Sequence, residues 1–266
     1  MTGIIRKIAG WYVGIVFVAG LAASVVAPYD YAAQFRDHTA EPPSAQFFLG
    51  TDDLGRDRFS RLLYAARVSL LMAPATAGAT LVLVTALGLI AGWRHGWIDS
   101  GVMVVSDLLL SLPLLFLVLT LRALLPLNVG PIASIGALAL VFAAVGWPTG
   151  MRVIRAVVDG LRSSPAVVHA RAYGCGTVRL FGVHVLPRLR SPLAAQFWIL
   201  APAFLIAEAN LGVLGLGVSE PLPSLGNLLA ELRDYERIPE APWILAPAGL
   251  LLSVLSSLHF VVSGGE

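Results

Sequence analysis

Six stretches of this sequence are long enough and apolar enough to cross a lipid bilayer as helices. They fall at about residues 8–27, 69–93, 101–125, 129–147, 193–216 and 243–262. A bilayer core of about 30 Å requires roughly 20 apolar residues in a helix. Backbone polar groups find no water in lipid, so a spanning segment must satisfy them internally. The runs therefore predict an all-α polytopic membrane protein with six transmembrane helices.

The composition agrees with a membrane protein and excludes several other classes. Hydrophobic residues make up 57% of the 266 residues and charged residues 13%, whereas soluble domains average about 25% charged residues. The net charge of only +2 does not suggest a nucleic-acid partner. One cysteine, Cys175, excludes an internal disulfide and a cysteine-rich metal site.

The first apolar run follows a basic start, as a secretory signal does. Its length of about 20 residues exceeds the roughly 7 to 15 residues of a signal core. We therefore expect an uncleaved first span, and a cleaved signal is the alternative.

The connections between the runs differ strongly in charge. Residues 148–192 contain seven arginines and one acid, a net charge of +6, while residues 217–242 contain five acids and two arginines, a net charge of −3. Residues 28–64 carry a net charge of −2. The positive-inside rule places the first connection in the cytoplasm and the other two outside. Arg6 and Lys7 place the N-terminus inside, and six crossings return the C-terminus to the cytoplasm.

The basic connection has the pattern of three short helices. Residues 151–162 carry apolar side chains on one helical face and most of their charges on the other. Pro165 is suited to open a second helix and Gly174 to end it. Thr177 is suited to cap a third, which Pro187 would stop. The apolar residues of that third helix are Val178, Phe181, Val185 and Leu186. A cytoplasmic helix this short and amphipathic either lies on the membrane surface or fills a groove in a partner.

The basic connection also contains a motif that resembles the cytoplasmic "EAA" loop of importer-type ABC transporter permeases. Residues 165–188 read PAVVHARAYGCGTVRLFGVHVLPR. The positions that match the motif are Val168, His169, Ala170, Gly174, Leu186 and Pro187. Val168 stands where the family has an acid, and His169 stands where it has an alanine.

Two further blocks resemble the second permease of the dipeptide, oligopeptide and nickel branch of this family. They are LGTDDLGRDRFSRLLYAARVSLL at residues 49–71 and EANLGVLGLGVSEPLPSLGNLLAE at residues 208–231. The resemblance covers about residues 45–250. It implies the type I permease fold of ABC importers and a location in the bacterial inner membrane.

The resemblance also implies a domain organisation and a set of partners. Residues 1–64 would form an N-terminal transmembrane helix plus an external segment with an interfacial helix, and residues 65–266 the core permease domain. The partners would be a second homologous permease, two cytoplasmic ABC ATPase subunits and an extracytoplasmic substrate-binding protein. The transported solute would be a peptide or a related small solute, with a nickel complex as an alternative.

Two groups of residues receive roles from the resemblance. The ATPase-coupling loop would use Val168, His169, Ala170, Arg171, Gly174, Val178, Phe181, Val185, Leu186 and Pro187. The external motif would dock a partner permease or receive the binding protein, through Gly50, Asp52, Gly55, Arg56 and Asp57. A calcium loop is the alternative for the external motif, although its spacing does not match an EF-hand.

No catalytic residue, metal ligand or cofactor site is predicted in this chain. The sequence contains no G-x-x-x-x-G-K-[ST] motif, so we expect ATP and Mg²⁺ to be bound by partner subunits. An intramembrane serine hydrolase that uses His259 with Ser256, Ser257 or Ser263 is disfavoured, because no nucleophile-elbow pattern accompanies these residues.

Ionisable residues inside the apolar runs offer an alternative transport mechanism. A carboxylate at membrane depth is costly, so Glu208 should face the bundle interior, either on a translocation path or as a structural group. Asp107 lies at the cytoplasmic end of the third run and is expected to be held by loop partners. A stand-alone proton-coupled carrier would use both carboxylates. Arg122, near the outer end of the third run, is expected to extend to the membrane interface.

Cys175 allows a direct test of the predicted orientation. Because the loop around it carries a net charge of +6, a membrane-impermeant thiol reagent should label Cys175 only after cells are opened or vesicles are inverted. Labelling in intact spheroplasts would reverse the predicted topology.

Overall fold

Helices account for nearly all regular structure in the computed structural model, which describes residues 2–126 and 129–263. Their bounds are α1 Thr2–Leu21, α2 Ala23–Val26, α3 Arg58–Arg94, α4 Gly96–Ser111, α5 Leu114–Leu124, α6 Pro131–Arg162, α7 Pro165–Ala172, α8 Thr177–Leu180, α9 Leu186–Val213, α10 Leu225–Leu229 and α11 Ala246–Ser263. Within these residues, five helical segments are long and apolar enough to span a membrane, or six when α4 and α5 count as one bent span. The predicted all-α fold with six membrane segments is confirmed.

The third predicted span is broken where we expected a continuous helix with a kink. The axes of α4 and α5 differ by 96°. Pro113 lacks an N–H group and disfavours a helical conformation in the residue before it. Leu112 accordingly adopts extended angles, with φ −99° and ψ 142°, and the chain turns sharply between the two helices.

The first part of the predicted basic connection belongs to the membrane-spanning helix α6. Helix α6 continues without interruption from Pro131 to Arg162, so the first of the three predicted short helices is not a separate element. The sequence-based boundary at residue 148 was wrong, because amphipathic residues of the correct helical period extend an apolar helix as readily as they begin a new one.

The third predicted helix does not stop at Pro187. One π turn at Phe181–Val185 follows α8, and the N–H of Leu186 donates to the carbonyl of Phe181. Pro187 then occupies the first turn of the next α-helical segment, where its missing N–H group is tolerated. The result is one helical segment over Thr177–Val213. The N-cap position of α8 is held by Gly176, so the capping role predicted for Thr177 was also wrong.

The helices form two compact units. Unit 1 comprises residues 1–73, 122–139 and 202–266, and unit 2 comprises residues 74–121 and 140–201. The predicted boundary between residues 64 and 65 falls inside α3. Residues 27–57 form turns and bends without a helix.

In unit 1, the N-terminal helix packs against the last one. Helix α1 lies along α11, and the hydroxyl groups of Tyr12 and Ser253 are 2.6 Å apart. Most other residues of α1 are exposed. The apolar side chains on its remaining faces therefore suit contact with lipid or with another membrane protein.

The core of unit 2 is formed where α3 meets α6 and the helical segment that contains α9. Its fully buried side chains are Val84, Met151, Ile154, Val158, Val185 and Leu189. Glycines allow the closest approach between α3 and α6. A Cβ atom at Gly88 would lie 2.8 Å from the Cβ of Ile154, and one at Gly92 would lie 2.6 Å from the carbonyl oxygen of Arg155.

The contact at Gly92 predicts a stability difference within one helix. Gly92→Ala should lower the free energy of unfolding of the isolated chain in detergent by about 1 to 3 kcal/mol, because the added methyl group collides with backbone. Gly78 is the matched control, since a Cβ there would meet no atom within 4 Å, and Gly78→Ala should be neutral or stabilising by up to about 1 kcal/mol. Equal midpoint temperatures of thermal unfolding for the two variants would contradict the described packing of α3 on α6.

Candidate functional site

Helices α7 and α8 form a tight turn in unit 2. Pro165 is the first residue of α7, as predicted. After α7, the N–H of Cys175 donates to the carbonyl of Ala170 at 2.9 Å, and the N–H of Gly174 donates to that of Arg171 at 3.0 Å. This pattern requires a left-handed residue at Gly174, whose φ is +72°. The predicted glycine-dependent end of α7 is confirmed.

The apolar residues that the turn exposes agree only in part with the predicted set. Val168, Tyr173 and Val178 are 50%, 90% and 89% exposed. Together with the exposed Arg179, these three residues are called the turn surface below. Val185, in contrast, is fully buried in the chain's own core.

Phe181 also contacts the chain's own core, because it packs against the buried cluster of unit 2. The expectation that Val178, Phe181, Val185 and Leu186 share one partner-facing side is therefore wrong for Phe181 and Val185. The π turn rotates this part of the chain relative to the regular helix that was assumed. Leu186 remains partly exposed.

An aromatic contact attaches the turn to the rest of unit 2. The guanidinium of Arg171 lies 5.1 Å from the ring centroid of Trp93 at the end of α3. The Trp93 ring in turn lies 4.6 Å from the ring of Phe181. Cation–π and aromatic contacts of this kind stabilise by about 0.5 to 2 kcal/mol each. Trp93 therefore joins α7, the π turn and α3, a role that the sequence did not reveal.

Ion pairs with α4 neutralise part of the basic connection. Arg155 makes two hydrogen bonds of 2.5 Å to the carboxylate of Asp99. Arg152 donates to Asp107 and, at 2.9 Å, to the hydroxyl of Ser106. Asp107 is thus held by Arg152, a residue of the basic connection that the structure places in α6. The exposed arginines of the connection are Arg171, Arg179, Arg188 and Arg190.

In unit 1, the external motif folds into a turn that caps α3. Asp57 Oδ2 accepts the backbone N–H of Ser60 at 2.8 Å and its hydroxyl at 2.6 Å, which is the geometry of a helix N-cap. Gly50 and Gly55 have φ values of +69° and +72°. A Cβ atom at Gly55 would lie 2.1 Å from the carbonyl oxygen of Phe35, so the turn requires glycine there.

Four charged side chains join the external motif to the connection that follows α9. Arg56 bonds Asp52 at 2.7 Å and Glu220 at 2.8 Å. Arg61 bonds Glu220 at 3.1 Å and lies 3.8 Å from Asp52. The four residues are called the charge square below. Because the carboxylates of the square are paired with arginines, the calcium-loop alternative has no support in this geometry.

Further ion pairs hold the same connection. Arg58 donates to Glu231, and Arg237 donates to both carboxylate oxygens of Asp53 at 2.8 and 3.0 Å. The hydrogen bonds from Arg237 hold the pKa of Asp53 below its ordinary value. Among the described residues, no group of three or more His, Cys, Asp or Glu side chains forms a metal site.

Glu208 is enclosed by other residues of unit 1. It is fully buried, and its Oε2 accepts the hydroxyl of Ser69 at 2.9 Å. The same hydroxyl accepts the N–H of Leu225 at 2.9 Å, so Ser69 joins α9 to the start of α10. A Cβ atom at Gly226 would lie 2.7 Å from Glu208 Oε1. This enclosure favours the structural interpretation of Glu208 and gives no support to a proton-coupled carrier.

Arg122 does not extend to the membrane interface. Only 1% of the residue is exposed, and its Nε donates to the carbonyl of Leu216 at 3.0 Å. The sequence showed an arginine near a helix end, for which extension to the interface is the usual outcome. The carbonyl of Leu216 lies 94 residues further along the chain, and no sequence pattern indicated this contact.

The chain resembles transport proteins over most of its length. Residues 84–263 match the family described as binding-protein-dependent transport system inner membrane component. The chain is 40% identical over 250 residues to the di/tripeptide transport system permease protein DppC of Pseudomonas aeruginosa strain UCBPP-PA14, covering 91% of this chain and 80% of that protein.

Two further relatives give the same result. The dipeptide transport system permease protein DppC of Escherichia coli strain K12 is 37% identical over 253 residues, or 92% of this chain and 82% of that protein. The oligopeptide transport system permease protein OppC of Bacillus subtilis strain 168 is 28% identical over 251 residues, or 94% of this chain and 80% of that protein.

The buried Ser69–Glu208 contact predicts a specific loss of stability. Ser69→Ala should lower the free energy of unfolding of the isolated chain by about 1 to 3 kcal/mol, because a buried carboxylate oxygen and the N–H of Leu225 lose their partner. Ser111→Ala is the control. The Ser111 hydroxyl also makes a hydrogen bond, at 2.8 Å to the carbonyl of Leu108, but the contact is exposed, so its loss should cost less than about 0.5 kcal/mol. If chemical denaturation showed the same loss of unfolding free energy for Ser69→Ala and Ser111→Ala, the structural role assigned to Glu208 would be contradicted.

Proposed function

This chain belongs to the family of inner membrane components of binding-protein-dependent transport systems, and from that membership we propose that it carries peptides across the bacterial inner membrane. It is a permease subunit and not an enzyme. The names of its relatives support peptides as the solute, since they refer to di- and tripeptides, dipeptides and oligopeptides. ATP hydrolysis belongs to a separate ATPase subunit.

The proposed assembly contains a second, homologous permease, two ATPase subunits and an external substrate-binding protein. In this proposal the chain supplies half of the translocation path, and ATP and Mg²⁺ are bound by the ATPase subunits alone. The sequence supports that division, because it contains no phosphate-binding loop of the Walker type.

The observation that carries the proposed mechanism is the turn surface of unit 2. The exposed apolar side chains of Val168, Tyr173 and Val178, together with the exposed arginines of the same turn, suit a groove that offers apolar walls and an acidic rim. We assign this surface to the ATPase. The missing acid at Val168 makes the contact depend mainly on apolar side chains and on the arginines around them, so binding should change only modestly with salt.

Movement of the turn would reach the rest of unit 2 through Trp93. If closure of the ATPase dimer shifts α7, the contacts of Arg171 with Trp93 and of Trp93 with Phe181 transmit the shift to α3 and to the π turn. The π turn belongs to the continuous helical segment Thr177–Val213. ATP drives transport only if these contacts differ in free energy between the two states of the permease.

The assignment of the turn surface predicts different effects for exposed and buried positions. Val178→Asp should leave the chain stable but reduce co-purification of the ATPase more than a hundredfold, since an unpaired charge in an interface costs about 3 to 5 kcal/mol. ATP-driven uptake of dialanine into proteoliposomes, measured without a proton gradient, should be lost in parallel. Phe181→Asp should instead destabilise the chain itself.

The matched control is Val25→Asp. Val25 is 86% exposed and lies at the end of the first span that is predicted to be external. This variant should keep both the ATPase and dialanine uptake. If Val178→Asp assembles and transports as the parent complex does, the turn surface is not the contact that drives transport. If the parent complex takes up dialanine with a proton gradient and not with ATP, the proposed function itself is wrong.

A further inference from the structure

A buried arginine lines an open cavity in unit 1. The cavity has a volume of about 500 Å³ and lies between Arg122 near the end of α5 and the connection that follows α9. Ser219, Glu220 and Asn227 form the rest of its polar wall, and Gly215 lines it without a side chain. A cavity of this size is within the range of sites that hold small molecules.

The guanidinium of Arg122 meets neutral oxygen atoms among the described residues. Besides the carbonyl of Leu216 at 3.0 Å, its acceptors are the carbonyl of Pro126 and the hydroxyl of Ser134, both at 3.4 Å. No carboxylate of the described chain forms an ion pair with it. A guanidinium has five N–H donors, so donors remain beyond these three contacts, two of which are long.

The other charges at this cavity already balance one another. Glu220 is the acid in the cavity wall, and it is bonded by Arg56 and Arg61 within the charge square. The square itself contains two arginines and two carboxylates. The amide nitrogen of Asn227 is engaged by the carbonyl of Val218 at 2.6 Å. Arg122 therefore contributes one positive charge to the cavity that the square does not neutralise.

A buried cation without an anion is unfavourable, and an anion that enters the cavity would relieve the cost. We propose that this cavity binds the carboxylate group of the transported solute, with Arg122 as the residue that binds it. This inference rests on the proposed function for the source of the carboxylate, which is the C-terminus of a small peptide. The connection that forms the cavity wall is acidic and predicted to be external, where the solute arrives.

Selective labelling of a cysteine in the cavity tests whether Arg122 gives the cavity a positive charge. Ser219 lines the cavity and is half-buried. In the complete complex, with Cys175→Ser as background, Ser219→Cys should react faster with an anionic methanethiosulfonate than with a cationic one, after both rates are normalised to a free thiol. Arg122→Gln should lower this rate ratio about tenfold, because a single nearby charge acts with opposite sign on the two reagents. Arg122→Lys should preserve the ratio.

Protection of the same cysteine identifies the occupant. Acetate and dialanine should each slow the labelling of Ser219→Cys, while the C-terminal amide of dialanine should not, and Arg122→Gln should abolish the protection. Arg36→Gln is the control for a lost external arginine, since Arg36 is exposed, and it should change neither the ratio nor the protection. Co-purification and thermal unfolding of each variant show whether the complex is intact. If Arg122→Gln fails to assemble, Arg122→Lys, which retains the positive charge, is available for the same labelling measurement.

The remaining outcomes separate the inference from the proposed function. An unchanged rate ratio in Arg122→Gln would show that the charge of Arg122 is neutralised internally and would overturn the site. Protection by the unloaded binding protein, with none from acetate or dialanine, would assign the carboxylate to that partner and overturn the solute assignment. If acetate protects but the parent complex shows no ATP-driven uptake of dialanine, the carboxylate site stands and the peptide-transport proposal fails.

Discussion

The cost of burying charge in an apolar surrounding governs how this chain is joined together. An isolated charge in a low-dielectric interior must be paired, hydrogen-bonded or neutralised. The chain meets this requirement with contacts between segments that are distant in sequence. In unit 1, the charge square joins the turn before α3 to the connection after α9. In unit 2, Asp99 and Arg155 join α4 to α6. Each pair fixes a helix end or a connection that apolar packing alone would leave free to slide.

The sequence predicted the features that depend on composition and local chemistry. It did not predict the features that depend on contacts between residues distant in the chain. The apolar runs gave six membrane segments because lipid requires helices of a certain length, and Gly174 indicated the end of α7 because few other residues adopt its conformation. The continuation of α6 to Arg162 was missed, since an amphipathic pattern does not show where a helix begins. The continuation past Pro187 depends on a π turn, for which the sequence carries no simple signal.

The π turn also explains why the predicted partner-facing residues were partly wrong. A regular helix from Thr177 would place Phe181 and Val185 on the same side as Val178. The observed turn directs Val185 into the core and Phe181 against Trp93, and leaves Val178 exposed. The coupling loop therefore has two surfaces with separate tasks. Its outer surface is free for a partner, while its inner surface fixes the loop to α3, so a force applied to the turn reaches the core of unit 2.

Contact between this outer surface and the ATPase is tested most directly by site-specific photo-crosslinking. Tyr173 and Tyr235 are exposed tyrosines, at 90% and 70%, on connections predicted to lie on opposite sides of the membrane. A benzophenone amino acid at each position in the assembled complex compares the two surfaces with minimal change of side chain. The account predicts an adduct with the ATPase subunit from position 173 and none from position 235. An ATPase adduct from position 235, or its absence from position 173 in a complex that hydrolyses ATP, would contradict it.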